Sequence, residues 1–215
     1  LRIGIDMAAT VGQKTGFGFY VENIVRALHA LPSSQERMKL IEINRIKKNL
    51  RTPTRIVWDQ IGVPLSALLQ QVDLLWVPAF SAPYMPTPVV MTAHDIYGRM
   101  HPEQFTGPAR LYWSRILPES MKHVQHVLCV SEYTKQTIEQ ELGIAPERMS
   151  VVPLAASDAF RCVDDIAWIK QHLKGFGLKH PFLLHVGTLE PRKNISRLLE
   201  AFAFAERGET QLVLV

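Results

Sequence analysis

Two cations stand side by side at Arg192 and Lys193, inside the run His185-Val-Gly-Thr-Leu-Glu-Pro-Arg-Lys-Asn194. The apolar stretch Phe182 to Val186 before them reads as a strand. After them Ile195, Leu198, Leu199 and Phe202 recur at the spacing of a helix that buries one face, with Asn194 placed to cap it. A helix start offers unpaired backbone N–H groups and partial positive charge. Two formal charges beside it would hold a phosphate or diphosphate. The alternative is an exposed cation pair in a solvated turn.

Two further groups fall at the ends of apolar runs. The first run ends at Asp6 and leads through Gly12 to Gly16-Phe-Gly18-Phe-Tyr20, where Gly16 and Gly18 are expected to turn the backbone tightly and let it approach a ligand closely. A dinucleotide fingerprint would need a third glycine where Val21 stands, together with a shorter turn, so NAD binding is disfavoured. The run Val89 to Ala93 ends in His94-Asp95. A histidine at the carboxyl end of a central strand points towards the crevice that a first-strand glycine loop lines, and the adjoining carboxylate would fix its orientation or protonation. A packed, hydrogen-bonded core histidine is the competing reading.

Several chemistries lack their residues. There is no GxSxG for a serine nucleophile, no GK[ST] of a P-loop and no HExxH. No DxD pair occurs to hold a divalent ion against a diphosphate, so no metal site is expected, and any positive charge on a diphosphate must come from Arg192, Lys193 and a helix N-terminus. Cys129 and Cys162 belong to no CxxC, which argues against zinc or a disulfide framework.

The 215 residues are 47% apolar and 20% charged, with a net charge of +4, as in an ordinary globular chain. No apolar run has the length of a membrane span and no signal-peptide layout opens the chain, so a cytosolic location is the expectation. Arg45, Lys47, Lys48 and Arg51 form a basic stretch, read as a solvated loop or as a contact for an anionic membrane surface. Nothing suits nucleic acid. Trp58, Trp76 and Trp113 would mark an acceptor groove or partner surface if exposed, and core if packed.

Apolar runs alternate with helical patterns along the chain, the pattern of a buried parallel sheet flanked by helices. Strands are expected at 2–6, 39–44, 74–77, 89–93, 126–130, 150–152, 182–186 and 211–215. Val21, Ile24, Val25, Leu28 and Leu31 should share the buried face of the first helix, and another helix should begin after Ser131. Residues 153–180 read as a linker containing a short helix. The strand, helix and strand beyond it are too few to bury a core of their own.

Taken in order, Gly16-Phe-Gly-Phe-Tyr20, Thr92-Ala-His-Asp95, Val130-Ser-Glu-Tyr-Thr-Lys135, Val151-Val-Pro-Leu154 with Asp158-Ala-Phe160, and Val186-Gly-Thr-Leu-Glu-Pro-Arg-Lys-Asn194 resemble the family 4, or group 1, glycosyltransferases over nearly the whole chain. The resemblance implies a GT-B architecture of two Rossmann-like domains: an acceptor domain over 1–160, a linker over 161–180 and the start of a donor domain over 181–215. It also implies retaining, metal-independent hexosyl transfer from a UDP- or GDP-linked sugar, with no cofactor. His94 would be the catalytic residue beside the transferred sugar. Gly16, Gly18, Gly187, Arg192 and Lys193 would bind the donor, and Asp95, Phe17 and Tyr20 would orient groups or meet acceptor. Many relatives have Asn-Gly where this chain has Leu154-Ala-Ala. Relatives also carry two glutamates seven residues apart further downstream, so the donor domain is expected to be incomplete within these residues, which by themselves should be inactive or nearly so.

The expected function is transfer of mannose or glucose to a glycan or lipid-linked acceptor in cell-envelope or exopolysaccharide synthesis, in the cytoplasm and in peripheral contact with the inner face of the membrane. A non-catalytic subunit that binds acceptor or a partner chain, and a sugar-nucleotide epimerase, stay open beside it.

Overall fold

The computed structural model describes residues 1–12, 14–32, 38–44, 48–157, 159–178, 181–205 and 208–215. Two compact units divide at Ala155/Ala156.

The first unit is built on strands β1 (Arg2–Asp6), β2 (Lys39–Ile43), β3 (Leu74–Val77), β4 (Val89–Ala93), β5 (His126–Cys129) and β6 (Met149–Val151). They form one sheet in the order β2-β1-β3-β4-β5-β6, with every neighbouring pair parallel. Chain order reverses direction between β1 and β3. In doubly wound sheets that reversal opens a crevice at the carboxyl ends of the flanking strands. Strands covered on both faces need apolar residues throughout, which explains Val89, Met91 and Ala93 being buried beside Thr92.

Helix α1 (Gly16–Ala30) joins β1 to β2. Val21 and Val25 are buried, and Ile24 and Leu28 pack against the same cluster as Ile5 and Trp76. Leu31 departs from the expected face: it lies past the last helical residue and is 47% exposed. The next helical stretch runs as α2 (Thr52–Val57), a π-helical turn Trp58–Gly62, and α3 (Val63–Leu69). A second such stretch follows the short helix α4 (Tyr97–Met100) and comprises α5 (Gly107–Leu111), a π-helical turn Tyr112–Ile116, and α6 (Leu117–Ser120). Helix α7 (Glu132–Leu142) starts as its sequence predicts, because the Ser131 side chain accepts from the Thr134 N–H, and it stops at Gly143 in the left-handed conformation.

The second unit carries α8 (Ile166–Gly175), β7 (Phe182–His185), α9 (Ile195–Phe204) and β8 (Gln211–Leu214), with β7 and β8 paired in parallel. None of its described residues is buried. The expected apolar face of α9 is therefore only partly covered, with Leu199 48% exposed, since two strands and this helix offer too little surface to cover it.

The three tryptophans in question are packed rather than exposed: Trp76 is buried, and Trp58 and Trp113 are half-buried against the main core. Cys129 is buried and Cys162 exposed, both as free thiols. Lys48 and Arg51 of the basic stretch are exposed, whereas Arg45 and Lys47 lie outside the described residues, as does Asp158. No helix among the described residues is long and apolar enough to cross a membrane.

Candidate functional site

The carboxyl end of β4 delivers Thr92, Ala93 and His94 to the crevice. The ring of His94 lies 4.7 Å from that of Phe17 and 4.8 Å, edge to face, from that of Tyr20, both from the first turns of α1. These three expected site residues are thus brought together. Thr92 ties the group to the sheet by accepting from Trp76 Nε1 at 3.0 Å, with Tyr20 Oη 3.5 Å from the same hydroxyl. A small pocket opens here, lined by Phe17, Ala79, Thr92, His94, Asp95 and Trp113.

His94 Nε2 is 2.9 Å from the Pro78 carbonyl. A carbonyl only accepts, so Nε2 carries the proton and, in the neutral ring, Nδ1 keeps a free lone pair. Burial holds the imidazole below its usual range, partly opposed by the Pro78 bond and the Asp95 charge. The ring is therefore neutral at physiological pH. Asp95 does not orient it through a hydrogen bond: its carboxylate instead accepts from the Tyr97 N–H at 3.0 Å, shaping the entry to α4.

Gly16 and Gly18 differ from expectation in being the first and third residues of α1, rather than part of the turn before it. The left-handed turn falls earlier, at Gly12 with φ +76°. Gly18 is required by packing. A Cβ there would stand 2.6 Å from the Ala9 carbonyl oxygen, so glycine lets the helix start close upon the turn after β1. Gly16 has open space around it. The N–H groups of the first turn of this 15-residue helix are the kind of donors that an anion takes at a helix start.

In the second unit Gly187 donates its N–H to the Val215 carbonyl at 2.8 Å. Arg192 and Lys193 close a 3₁₀ turn, Pro191–Lys193, just before α9. Arg192 is engaged: its Nε donates to Glu190 at 2.5 Å, and Thr188 Oγ1 donates to the same carboxylate at 2.9 Å. These two bonds hold the Glu190 carboxyl below its usual range, the Arg192 bond first. Asn194 stands at the expected cap position, but its side chain caps nothing. It adopts φ 53°, ψ 40°, a left-handed conformation that Asn tolerates, and the chain enters the helix through backbone bonds.

Behind the crevice lies a buried polar group that sequence reasoning missed. Asp59 accepts from Ser81 Oγ at 2.7 Å and from Tyr112 Oη at 2.8 Å, and Tyr112 Oη accepts from the Ser81 N–H at 3.0 Å. Arg55 Nη1 lies 3.7 Å from Asp59 Oδ1, and neither atom has a hydrogen-bond partner among the described residues. The Arg55 guanidinium stacks 3.8 Å over the ring of Phe80. Asp6, at the end of β1, accepts from the Ala8 N–H at 3.1 Å and is also buried. Burial first, then the Asp6 charge, pushes the Asp59 carboxyl up to about 7. The available sequence signal was Arg55 and Asp59 at i, i+4, the only charged residues in an otherwise uncharged, apolar-rich stretch from Thr52 to Val72.

Comparison with known proteins adds a separate line. A profile of Glycosyltransferase Family 4 matches residues 44–158. The O-antigen chain mannosyltransferase B of Escherichia coli is 28% identical over 131 residues, covering 58% of this chain and 33% of that protein. A serotype-specific mannosyltransferase WbdA of Escherichia coli is 26% identical over 130 residues, covering 59% of this chain and 16% of that protein. The matched region thus spans a third or less of the length of these curated relatives.

Proposed function

The chain belongs to glycosyltransferase family 4, and from that premise we propose that it takes part in retaining transfer of a hexose, mannose or glucose, from a UDP- or GDP-linked sugar to a glycan or lipid-linked acceptor. The observation that carries the reading is the neutral His94 at the carboxyl end of β4, bonded to the Pro78 carbonyl and set against Phe17 and Tyr20 at the start of α1. In the proposed reaction the bond between the anomeric carbon and the diphosphate oxygen breaks, and its electron pair leaves on the diphosphate. The acceptor hydroxyl attaches on the same face of the sugar and passes its proton to the departing diphosphate oxygen. Negative charge therefore grows on the leaving group, where fixed cations and helix N–H groups stabilise the transition state more than the ground state.

In this reading Arg192 and Lys193 of the second unit meet the diphosphate in place of a metal. His94 Nδ1 accepts from a sugar hydroxyl, and Phe17 and Tyr20 give the sugar an apolar wall. Arg192 already has a partner in Glu190, an exposed ion pair that takes up part of its charge. The two mannosyltransferases among the relatives favour mannose. A peripheral contact with an anionic membrane is supported by Lys48 and Arg51 next to the exposed apolar stripe Val57, Ile61, Leu65 and Leu68.

Calorimetric titration with UDP and GDP tests the donor assignment. Binding of one base, weakened about tenfold or more in Arg192→Ala for loss of a charge-assisted bond of about 1.5–3 kcal/mol, supports it. A folded wild-type protein that binds neither nucleotide overturns it and favours a non-catalytic acceptor-binding role.

A further inference from the structure

The bond that sets the tautomer of His94 comes from Pro78, and Pro78 is not part of any strand or helix. It opens the segment 78–82 that leaves β3, and carbonyls of such segments normally wander with their loop. The far end of this one is held by four hydrogen bonds. Ser81 donates through Oγ to Asp59 and through its N–H to Tyr112. The Ala82 carbonyl accepts from Gln60 Nε2 at 3.1 Å, and the Ala82 N–H donates to Ser120 Oγ at 3.1 Å.

Three of the four gripping residues share an origin. Asp59 and Gln60 lie in the π-helical turn Trp58–Gly62, and Tyr112 opens the π-helical turn Tyr112–Ile116. Such turns shift the helical register by one residue and re-aim side chains, and they concentrate at functional sites. Ser81 N–H to Tyr112 Oη, Tyr112 O–H to Asp59 Oδ2, and Asp59 Oδ2 from Ser81 O–H make a closed ring of three hydrogen bonds, all between buried groups. A buried polar ring is costly to open, because each partner then loses its bond without gaining water. Phe80 lies between the ring and the crevice, stacked under Arg55 on one side and 6.3 Å edge-on from Phe17 on the other.

We propose that Asp59 and Tyr112 are positioning residues for His94: through Ser81 they lock the segment 78–82, and thereby the Pro78 carbonyl that keeps the proton on Nε2 and the lone pair on Nδ1. The role matters for transfer because an imidazole that exchanges tautomers presents a donor part of the time where a sugar hydroxyl needs an acceptor. It extends the reading of His94 as the sugar-facing residue. The charged and titratable groups around the ring are Asp6 and Arg55, and neither bonds directly to Ser81.

The test is the imidazole ¹⁵N spectrum of the histidine-labelled protein, with His94 assigned by its loss in His94→Gln. The wild type should show one tautomer, with Nε2 protonated and Nδ1 of the bare type. Tyr112→Phe and Asp59→Leu should move both His94 resonances towards the averaged positions of two exchanging tautomers, while Asp59→Asn, which keeps an acceptor oxygen, should retain the wild-type pair. Ile138→Val, a buried core change away from the ring, is the control for general loosening and should leave them unmoved. A wild-type His94 that is mixed or protonated at Nδ1 overturns the proposal before any variant is made. So does an unmoved pair in whichever of Tyr112→Phe and Asp59→Leu stays folded, and so does an equal shift in Ile138→Val. No sugar nucleotide enters the measurement, so its failure and the failure of the glycosyl-transfer reading are separate results.

Discussion

Asp59 gives the structure a pH dependence that a single substitution should remove. The carboxyl is 1% exposed, and burial together with the Asp6 charge raises it from 3.8 to about 7 despite Arg55 and two hydroxyl donors. A carboxyl with a folded value above its unfolded value holds its proton longer in the folded state. Stability from this source is therefore complete below 3.8 and is lost as the pH rises through about 7. At 1.36 kcal/mol per pH unit the whole difference is about 4 kcal/mol, of which about 2.5 kcal/mol falls between pH 5 and 8. For a domain of this size that is a fall in Tm of about 5–10 °C across the interval. His94 works in the opposite direction, because its folded value is lowered, so its contribution is lost as the pH falls. Asp59→Asn keeps an oxygen for Ser81 and Tyr112 but cannot ionise. Its Tm profile, followed by circular dichroism from pH 5 to 8, should be flatter than the wild-type profile by about that 5–10 °C, while the contribution of His94 persists in both proteins. Asp6 is coupled to Asp59, so the difference reports the pair. Parallel profiles would refute the reasoning, for they would mean that Asp59 stays ionised throughout against Arg55.

The remaining predictions test the packing and the surface of the same unit. In Gly98→Ala the new Cβ would stand 2.5 Å from Trp113 Cβ and 2.7 Å from its carbonyl oxygen, so backbone must shift. A loss of about 1–3 kcal/mol in urea unfolding is expected, and an unchanged midpoint would mean that the helix carrying Trp113 yields freely. Vesicles containing anionic lipid should sediment the protein, and Leu68→Glu, at a position already 71% exposed, should reduce that binding severalfold without changing Tm. Equal binding to neutral vesicles, or no effect of the substitution, would dismiss the membrane contact.

Much of the first unit was legible because its signals are local. Six apolar runs correspond to its six described strands to within a residue or so at each end, since a strand covered on both faces must be apolar throughout, and two more correspond to β7 and β8 of the second unit. Ser131 marked the start of α7 because a hydroxyl at that position satisfies an N–H in the same turn. His94 was legible as a residue at the end of a central strand, although what fixes its ring was not. The adjacent Asp95 was the natural partner by sequence, yet the structure uses the carbonyl of Pro78, 16 residues earlier, because β3 and β4 are neighbours in the sheet.

Local reading failed where conformation answers to a distant contact. Gly16 and Gly18 read as a turn because glycine is a poor helix former, yet Gly18 is helical because only a missing Cβ admits the Ala9 carbonyl. Asn194 read as a side-chain cap, but its left-handed backbone leaves the side chain out of that role. By itself the sequence determined the alternation of strands and helices, and the residue types that can meet a phosphate, because periodicity and charge are written residue by residue. Tertiary structure alone decided that Asp59 and Tyr112, 53 positions apart, would close on Ser81 through two π-helical turns. A hydrogen-bond ring of that kind exists only when three segments are already packed together, and no spacing along the chain encodes it.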